Sequence, residues 1–509
     1  MGKLLLALAS GIAIAVLSSA TGCGRIGYDP RGASTPDGST SRDSSADAMA
    51  RACTIDSQCA AGERCSAGTC IPRTAYGWDR TFSGTGLVFG SDVAVGATGT
   101  IVLVGGFIGS ADFGGGLRTS AGAFDAFVVA LDGTGGYLWD RTYGGALDGD
   151  AASSVAIGSD GNLFVGGGFQ GVVDFGGGAR TSAGRSDVFV LGLSAGGDYL
   201  WDRTFGAAQF DNLGGLIRAT AASDVIAAGS FEGNVDFGSG NRMSAGVADA
   251  YVASFSMATG ALSWVTTVGG RDIDAAQGVA ASSSGDVFVS GSFSGTADFG
   301  GGVRTSNGST DDFVLGLTAA GAYRWDRVFG GTGLEPAGGI TTTQGGEVIA
   351  VGEWNSDVVD FGGGARTSAG SADAFVLALD QGGAYRWDRV FGAASVDSIA
   401  GVVAESTMGA LAAGWFFDGP IDFGGGARTS AGKGDGFVIE LREDGSYGSD
   451  RTIGGPENDT ARRVVQVSGG LLVVGGFSGA VDFGGGAREG GFYPSATTAS
   501  AYVLFLRTE

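Results

Sequence analysis

An all-β, seven-bladed β-propeller of four-stranded blades is the fold this sequence predicts, and three observations predict it. An Asp-Phe-Gly core recurs at Asp112, Asp174, Asp236, Asp298, Asp360, Asp422 and Asp482, with spacings of 62, 62, 62, 62, 62 and 60 residues. A fixed period of this length marks a repeat architecture. Each full repeat reads as four short β-type segments, rich in Val, Phe, Leu and aromatics and separated by Gly turns. Finally, the chain enters the repeats on a lone fourth strand and leaves them on a third strand that lacks its partner. The first strand can therefore complete the last blade and close the ring.

Residues 152–206 illustrate one unit. Ser154-Val155-Ala156-Ile157 leads into the turn Gly158 to Gly161, and Asn162 to Phe169 then runs extended. The long loop from Asp174 to Gly184 carries Asp-Phe-Gly-Gly-Gly-Ala-Arg. Asp187 to Leu193 is a third apolar run, and Tyr199-Leu200-Trp201-Asp202-Arg203-Thr204-Phe205 is the fourth strand. That strand recurs at Trp78, Trp139, Trp201, Trp264, Trp325, Trp387 and, with Ser in place of Trp, at Ser449. The entering strand is Trp78 to Phe82 and the leaving one Tyr502 to Leu506. Blades stacked around a channel leave few exposed edges, whereas a linear solenoid would need polar caps. Trp354 and Phe416 are expected to take the place of Phe169 in their own blades, after a one-residue slide.

The bulk composition agrees. Of 509 residues 101 are Gly and only seven are Pro, which excludes collagen and a Pro-rich disordered chain and fits many tight turns. A formal net charge of −23 repels phosphate backbones, so nucleic acid is not an expected partner. There is no His, and Lys occurs only at Lys3 and Lys433. That removes Ser-His-Asp and Cys-His catalysis, His-ligated zinc and nearly every lysine mechanism.

Residues 1–22 read as an export signal: a positive start at Lys3, an apolar run from Leu4, and small residues before Cys23. Ala20-Thr21-Gly22-Cys23 resembles the lipobox of bacterial lipoproteins, with Ala20 where Leu is usual. The resemblance implies that Cys23 is lipidated and becomes the first residue, and Gly24 then points to the outer membrane. An uncleaved transmembrane anchor is the alternative. Residues 23–52 form a tether rich in Ser, Thr, Asp and Gly with almost nothing to bury.

Residues 53–72 hold Cys53, Cys59, Cys65 and Cys70. An even set in an exported stretch implies two disulfides in one of three connectivities. Zinc is the rival, but no C-x2-C pair is present. The segment resembles small Cys-rich modules of bacterial lipoproteins and, more distantly, the N-terminal cysteine-rich region of Dickkopf proteins.

Residues 76–509 carry Gly-Asn-Leu-Phe-Val-Gly-Gly, Asp-Phe-Gly-Gly-Gly, Asp-Ala-Phe-Val and Trp-Asp-Arg-Thr-Phe-Gly. These resemble the bacterial seven-bladed propeller repeat family of the SBBP type, which implies the fold without fixing a function. The hairpin ending in Trp (Asp132 to Trp139) resembles the tryptophan-docking hairpin of quinoprotein-type propellers. Trp-Asp here is not a WD40 signature, since its Gly-His partner is missing and the period is too long.

Strand order places the long second connections and the inter-blade links on one face, where function tends to sit on loops held by a rigid scaffold. The repeated arginines Arg118, Arg180, Arg242, Arg304, Arg366, Arg428 and Arg488 follow each Asp by six positions. With that Asp they form either an intrablade ion pair or turn, or a ring of charge that contacts a glycan or anionic polymer. Symmetry-breaking stretches are Phe210-Asp211-Asn212, Glu335-Pro336, Glu353-Trp354-Asn355, Trp415-Phe416-Phe417 and the final loop with Phe492 and Tyr493. That final loop is the leading candidate contact. No calcium-loop pattern Asp-x-Asp-x-Asp-Gly is present, and no metal or cofactor is expected.

The expected function is a monomeric, lipid-anchored envelope protein whose propeller binds a glycan or an envelope protein without catalysis. The alternatives are a carbohydrate-active glycosidase or lyase using channel carboxylates, and a purely structural surface coat.

Overall fold

The computed structural model describes residues 63–66, 69–72, 74–146, 149–218, 223–356, 358–405, 409–491 and 499–508. No helix occurs among them. Residues 1–62, with the signal, the tether, Cys23, Cys53 and Cys59, lie outside this set, as do Phe492 and Tyr493 of the final loop. Two short antiparallel strands, Glu63–Ser66 and Thr69–Pro72, place Cys65 opposite Cys70 in register.

Seven four-stranded antiparallel blades follow; six are separate sheets, and the fourth strand of blade 3 also pairs at Gly269 and Gly270 with the hairpin of blade 4 at Asp298 and Ala297. Blades 1 to 6 span 88–143, 151–205, 212–270, 274–329, 337–391 and 397–453. Blade 2 shows the pattern with its strands Ala151–Ile157, Leu163–Phe169, Asp187–Leu193 and Tyr199–Phe205, paired in chain order. Between its second and third strands a small hairpin, Val172–Asp174 with Ala179–Thr181, stands apart as a separate two-stranded sheet.

Alternation with period two explains why the blades stack. Val188 and Val190 pack with Phe164 against Leu213, Val225 and Phe231 of blade 3. Their neighbours Phe189 and Leu191 point the other way, against Val102, Val104 and Val128 of blade 1. Both faces of the blade are thus buried, and its third strand is buried along its whole length. Seven such apolar layers occur, one at each junction between blades.

Blade 7 closes as expected. Its strands are Thr460–Val467, Gly470–Phe477, Ser500–Thr508 and, from the start of the propeller, Thr74–Phe82. Trp78 lies opposite Phe505 and Phe82 opposite Ala501. The entering strand is longer than the sequence suggests, because pairing begins at Thr74 opposite Thr508. Leu472, Val474 and Val503 of this blade share a core with Val88, Leu103 and Phe127 of blade 1, which completes the ring.

Trp354 and Phe416 do occupy the Phe169 position. They pair with Asp373 and Asp435 as Phe169 pairs with Asp187, and all three aromatic rings are fully buried.

Candidate functional site

The repeated hairpin is a clasp. In blade 2, Asp174 Oδ1 accepts the amides of Gly176 at 2.8 Å and Gly178 at 3.0 Å. Those two glycines have φ of 113° and 98°, a region that side chains other than hydrogen disfavour. Gly177 between them is needed for another reason: a Cβ there would collide with the Tyr199 hydroxyl. Phe175 packs into the core against Phe169 and Phe189. The Asp of the motif is therefore the turn former.

The Arg has a different partner. Arg180 Nε and Nη2 donate to Asp202 Oδ2 and Oδ1 at 2.6 and 3.0 Å, and the Tyr199 hydroxyl donates to Asp202 Oδ1 at 2.9 Å. This bidentate pair joins the hairpin to the fourth strand of its own blade. The hydrogen bonds to Asp202 raise the Arg180 pKa above its ordinary value, and burial, then Asp202, raises that of Tyr199. The same pair forms at Arg118–Asp140, Arg304–Asp326, Arg366–Asp388, Arg428–Asp450 and Arg488–Asp79, with Nε–O distances of 2.6 to 2.8 Å. The last crosses the ring closure. The ion pair thus lies within the blade, but between the Arg and the Asp of Trp-Asp-Arg rather than the Asp six positions earlier.

The other residues of that strand hold adjacent blades together. Trp201 Nε1 donates to the Met257 carbonyl of blade 3 at 2.9 Å and lies against Gly260, and Trp139 treats Ala195 and Gly197 of blade 2 likewise. Arg203 Nη2 donates to the Thr259 carbonyl at 2.8 Å.

Blade 3 breaks the clasp. Leu262 stands where the other blades have Tyr, Val265 where they have Asp, and Ser239 where they have the middle Gly. Arg242 remains, is exposed, and makes no ion pair among the described residues. The adjoining Met243 and Val247 are 74% and 53% exposed, and Phe210 and Ile273 at the two flanking junctions are also exposed. Arg185 lies over the Phe210 ring, 5.3 Å from its centroid.

A second repeated feature escaped the sequence analysis. Where each of blades 1 to 6 meets the next, two carboxylates are buried together: Asp125 with Asp150, Asp187 with Asp211, Asp249 with Asp274, Asp311 with Glu335, Asp373 with Asp397, and Asp435 with Asp459. The first of each pair lies in the third strand, within its first two residues except for Asp125, and the second lies at or within two residues of the start of the next inner strand. Burial pushes Asp150, Asp211 and Asp397 up to about 6, and Asp274 and Asp459 up to about 7, with the neighbouring carboxylate adding to the shift. The 62-residue period of Asp125, Asp187, Asp249, Asp311, Asp373 and Asp435 was readable in the sequence. That such an Asp meets one from the following repeat was not.

Along the channel, Asp92 is the carboxylate in the middle of an inner strand. It is held by Arg463 at 3.3 Å and by the Ser154 hydroxyl at 2.6 Å. Among the described residues no cluster of three or more His, Cys, Asp or Glu side chains is placed to hold a metal.

No protein-family model matches this chain, and no curated protein sequence matches it. Solved propellers resemble it in fold. BamB from Moraxella catarrhalis is 12% identical over 85% of this chain and 99% of its own, with a TM-score of 0.39. The WD40 propeller domain of Doa1 is 11% identical over 86% and 97%, with a TM-score of 0.42. A europium-containing methanol dehydrogenase is 10% identical over 86% and 93%, with a TM-score of 0.40. At these values the likeness is one of architecture, and the chemistry of this chain has to be read from its own residues.

Proposed function

We propose that this protein is a lipid-anchored envelope protein whose propeller is a non-catalytic binding scaffold, and that blade 3 carries its principal contact. The observation behind this reading is Arg242. Six hairpin arginines are occupied in holding their own blades, while the seventh keeps its charge after its partner has become Val265. A free guanidinium beside exposed Met243 suits a partner offering a carboxylate next to apolar surface: an envelope protein or an acidic glycan. The anchor rests on the signal and Cys23, and the four later cysteines are taken as two disulfides of an extracytoplasmic spacer. SBBP-type ancestry rests on the repeat motifs alone.

The carbohydrate-active alternative needs paired carboxylates at the channel mouth about 5–10 Å apart. Asp92, neutralised by Arg463, does not supply them.

Capture of solubilised envelope components on the purified full-length chain tests the proposal. Arg242→Ser should lower capture about tenfold with an unchanged melting temperature, while Arg180→Ser should lower stability and leave capture intact below the melting point. Equal capture by wild type and Arg242→Ser would remove blade 3 from the interface.

A further inference from the structure

Burying two carboxylates side by side is costly unless something compensates the charge. The twelve junction carboxylates are each at most 6% exposed, and no salt bridge among the described residues reaches any of them. Their compensation comes mainly from backbone amides, and it is uneven. Between blades 1 and 2 every oxygen of Asp125 and Asp150 accepts an amide. Between blades 3 and 4, Asp249 Oδ2 accepts from Ala245 and Asp274 Oδ2 from Gly270, leaving Oδ1 of both residues buried without a hydrogen-bond partner. Between blades 5 and 6, Asp373 and Asp397 repeat this, with Oδ2 taken by Ala369 and Ala393 and both Oδ1 atoms free. The Gly246 and Ser294 amides lie near enough to Asp249 and Asp274 to lower their pKa values somewhat, but neither completes a bond to the free oxygens. Ser294 N–H donates instead to the Ile273 carbonyl at 3.1 Å.

The closing junction shows that the acids are not needed to build the contact. There Ser500 replaces the first carboxylate, Val88 the second, and Ser83 the glycine that ends the fourth strand. The Val88 amide still donates to the Ala499 carbonyl, as the Asp274 amide does to Ala248, and Ser83 and Ser500 hydrogen bond at 2.8 Å. All three positions change together, so the two acids and the glycine act as one unit. In the acidic junctions that glycine gives the carboxylates room. A Cβ on Gly269 would lie 2.8 Å from both the free Asp249 Oδ1 and Asp274 Oδ2, the oxygen that accepts the Gly270 amide, so the two carboxylates flank one small space.

From these free buried oxygens and the neutral seventh junction, we infer that the Asp249/Asp274 and Asp373/Asp397 junctions are binding sites for a hard divalent cation of the calcium type. Such an ion takes oxygen ligands at about 2.3–2.6 Å, carboxylate, carbonyl and water together, and tolerates irregular geometry. Two carboxylates neutralise its charge and backbone carbonyls and water complete its shell. Softer metals are disfavoured because neither site offers His or Cys. Bound ions would pin blade 3 to blade 4 and blade 5 to blade 6.

The test uses the full chain stripped with a chelator, then titrated calorimetrically with calcium chloride at pH 7.5, with thermal melts alongside. Uptake of about two ions per chain and a melting temperature raised by several degrees are expected. Asp249→Ser with Gly269→Ser and Asp274→Val copies the closing junction and should bind one ion fewer while keeping the β-sheet circular dichroism. If that variant does not fold, Asp249→Asn with Asp274→Asn removes the charge and keeps the shape. No calcium uptake by the stripped wild type would overturn the inference in favour of a shared proton, as would an unchanged ion count in the folded variant.

Discussion

Blades 2 and 3 have the same strands and hairpin, and they differ in how the hairpin is held. In blade 2 the hairpin is tied down by Arg180, Asp202 and Tyr199, with Gly177 making room for the tyrosine. In blade 3 the tyrosine, the aspartate and the glycine have all been replaced, yet the hairpin Asn234–Asp236 with Asn241–Met243 keeps its register. Asp236 Oδ1 still accepts Gly238 and Gly240 at 2.8 and 2.9 Å, and Phe237 still packs on Phe231 and Tyr251. The turn and its aromatic ring are therefore enough to form the hairpin, and the clasp is a separate layer of stability. Where that layer is absent, a cation and a methionine are left facing outward.

Removing the blade 2 acid should widen this contrast most. Asp202→Ala would leave a half-buried tyrosine hydroxyl and the guanidinium without their shared buried partner, at a cost of about 2–4 kcal/mol in urea unfolding. Val265→Ala in blade 3 should cost only about 1 kcal/mol, as a partly exposed side chain loses two methyl groups. A smaller effect comes from the glycine. Gly177→Ala forces the Tyr199 ring to move and should cost about 1–3 kcal/mol, whereas Ser239→Ala should stay within about 0.5 kcal/mol. Equal losses at these two sites would mean that the tyrosine is not what demands the glycine. The smallest change in stability comes from rebuilding the clasp with Ser239→Gly, Leu262→Tyr and Val265→Asp. A gain of about 1 kcal/mol or less is expected from a half-exposed pair. Its main effect would be to occupy Arg242 and lower partner capture as Arg242→Ser does.

The clasp was only half legible in the sequence. Arg180 and Asp174 are six residues apart and each recurs sevenfold, so pairing them was the economical reading. Two-residue Asx bonding at Asp174, and the span from Arg180 to Asp202, 22 positions on, depend on how the hairpin folds back over the fourth strand. The departure of Leu262-Ser263-Trp264-Val265-Thr266 from Tyr-Leu-Trp-Asp-Arg was visible all along. Its meaning was not, because the partner of Val265 was unknown. Among the symmetry-breaking stretches, Trp354 and Phe416 are core aromatics as expected, whereas Glu335, which looked like an exception, is the fourth member of a repeated carboxylate column.

By itself the sequence determined the number of blades, the four-strand order and the closure by the first strand. These follow from a 62-residue period, period-two alternation and the bookkeeping of unpaired strands, all of which are local or counting properties of the chain. Only the tertiary structure decided which acid meets which base and which acid meets another acid. Those meetings join residues from opposite ends of a blade or from successive blades, and their energetics depend on burial, which no residue carries in its own identity.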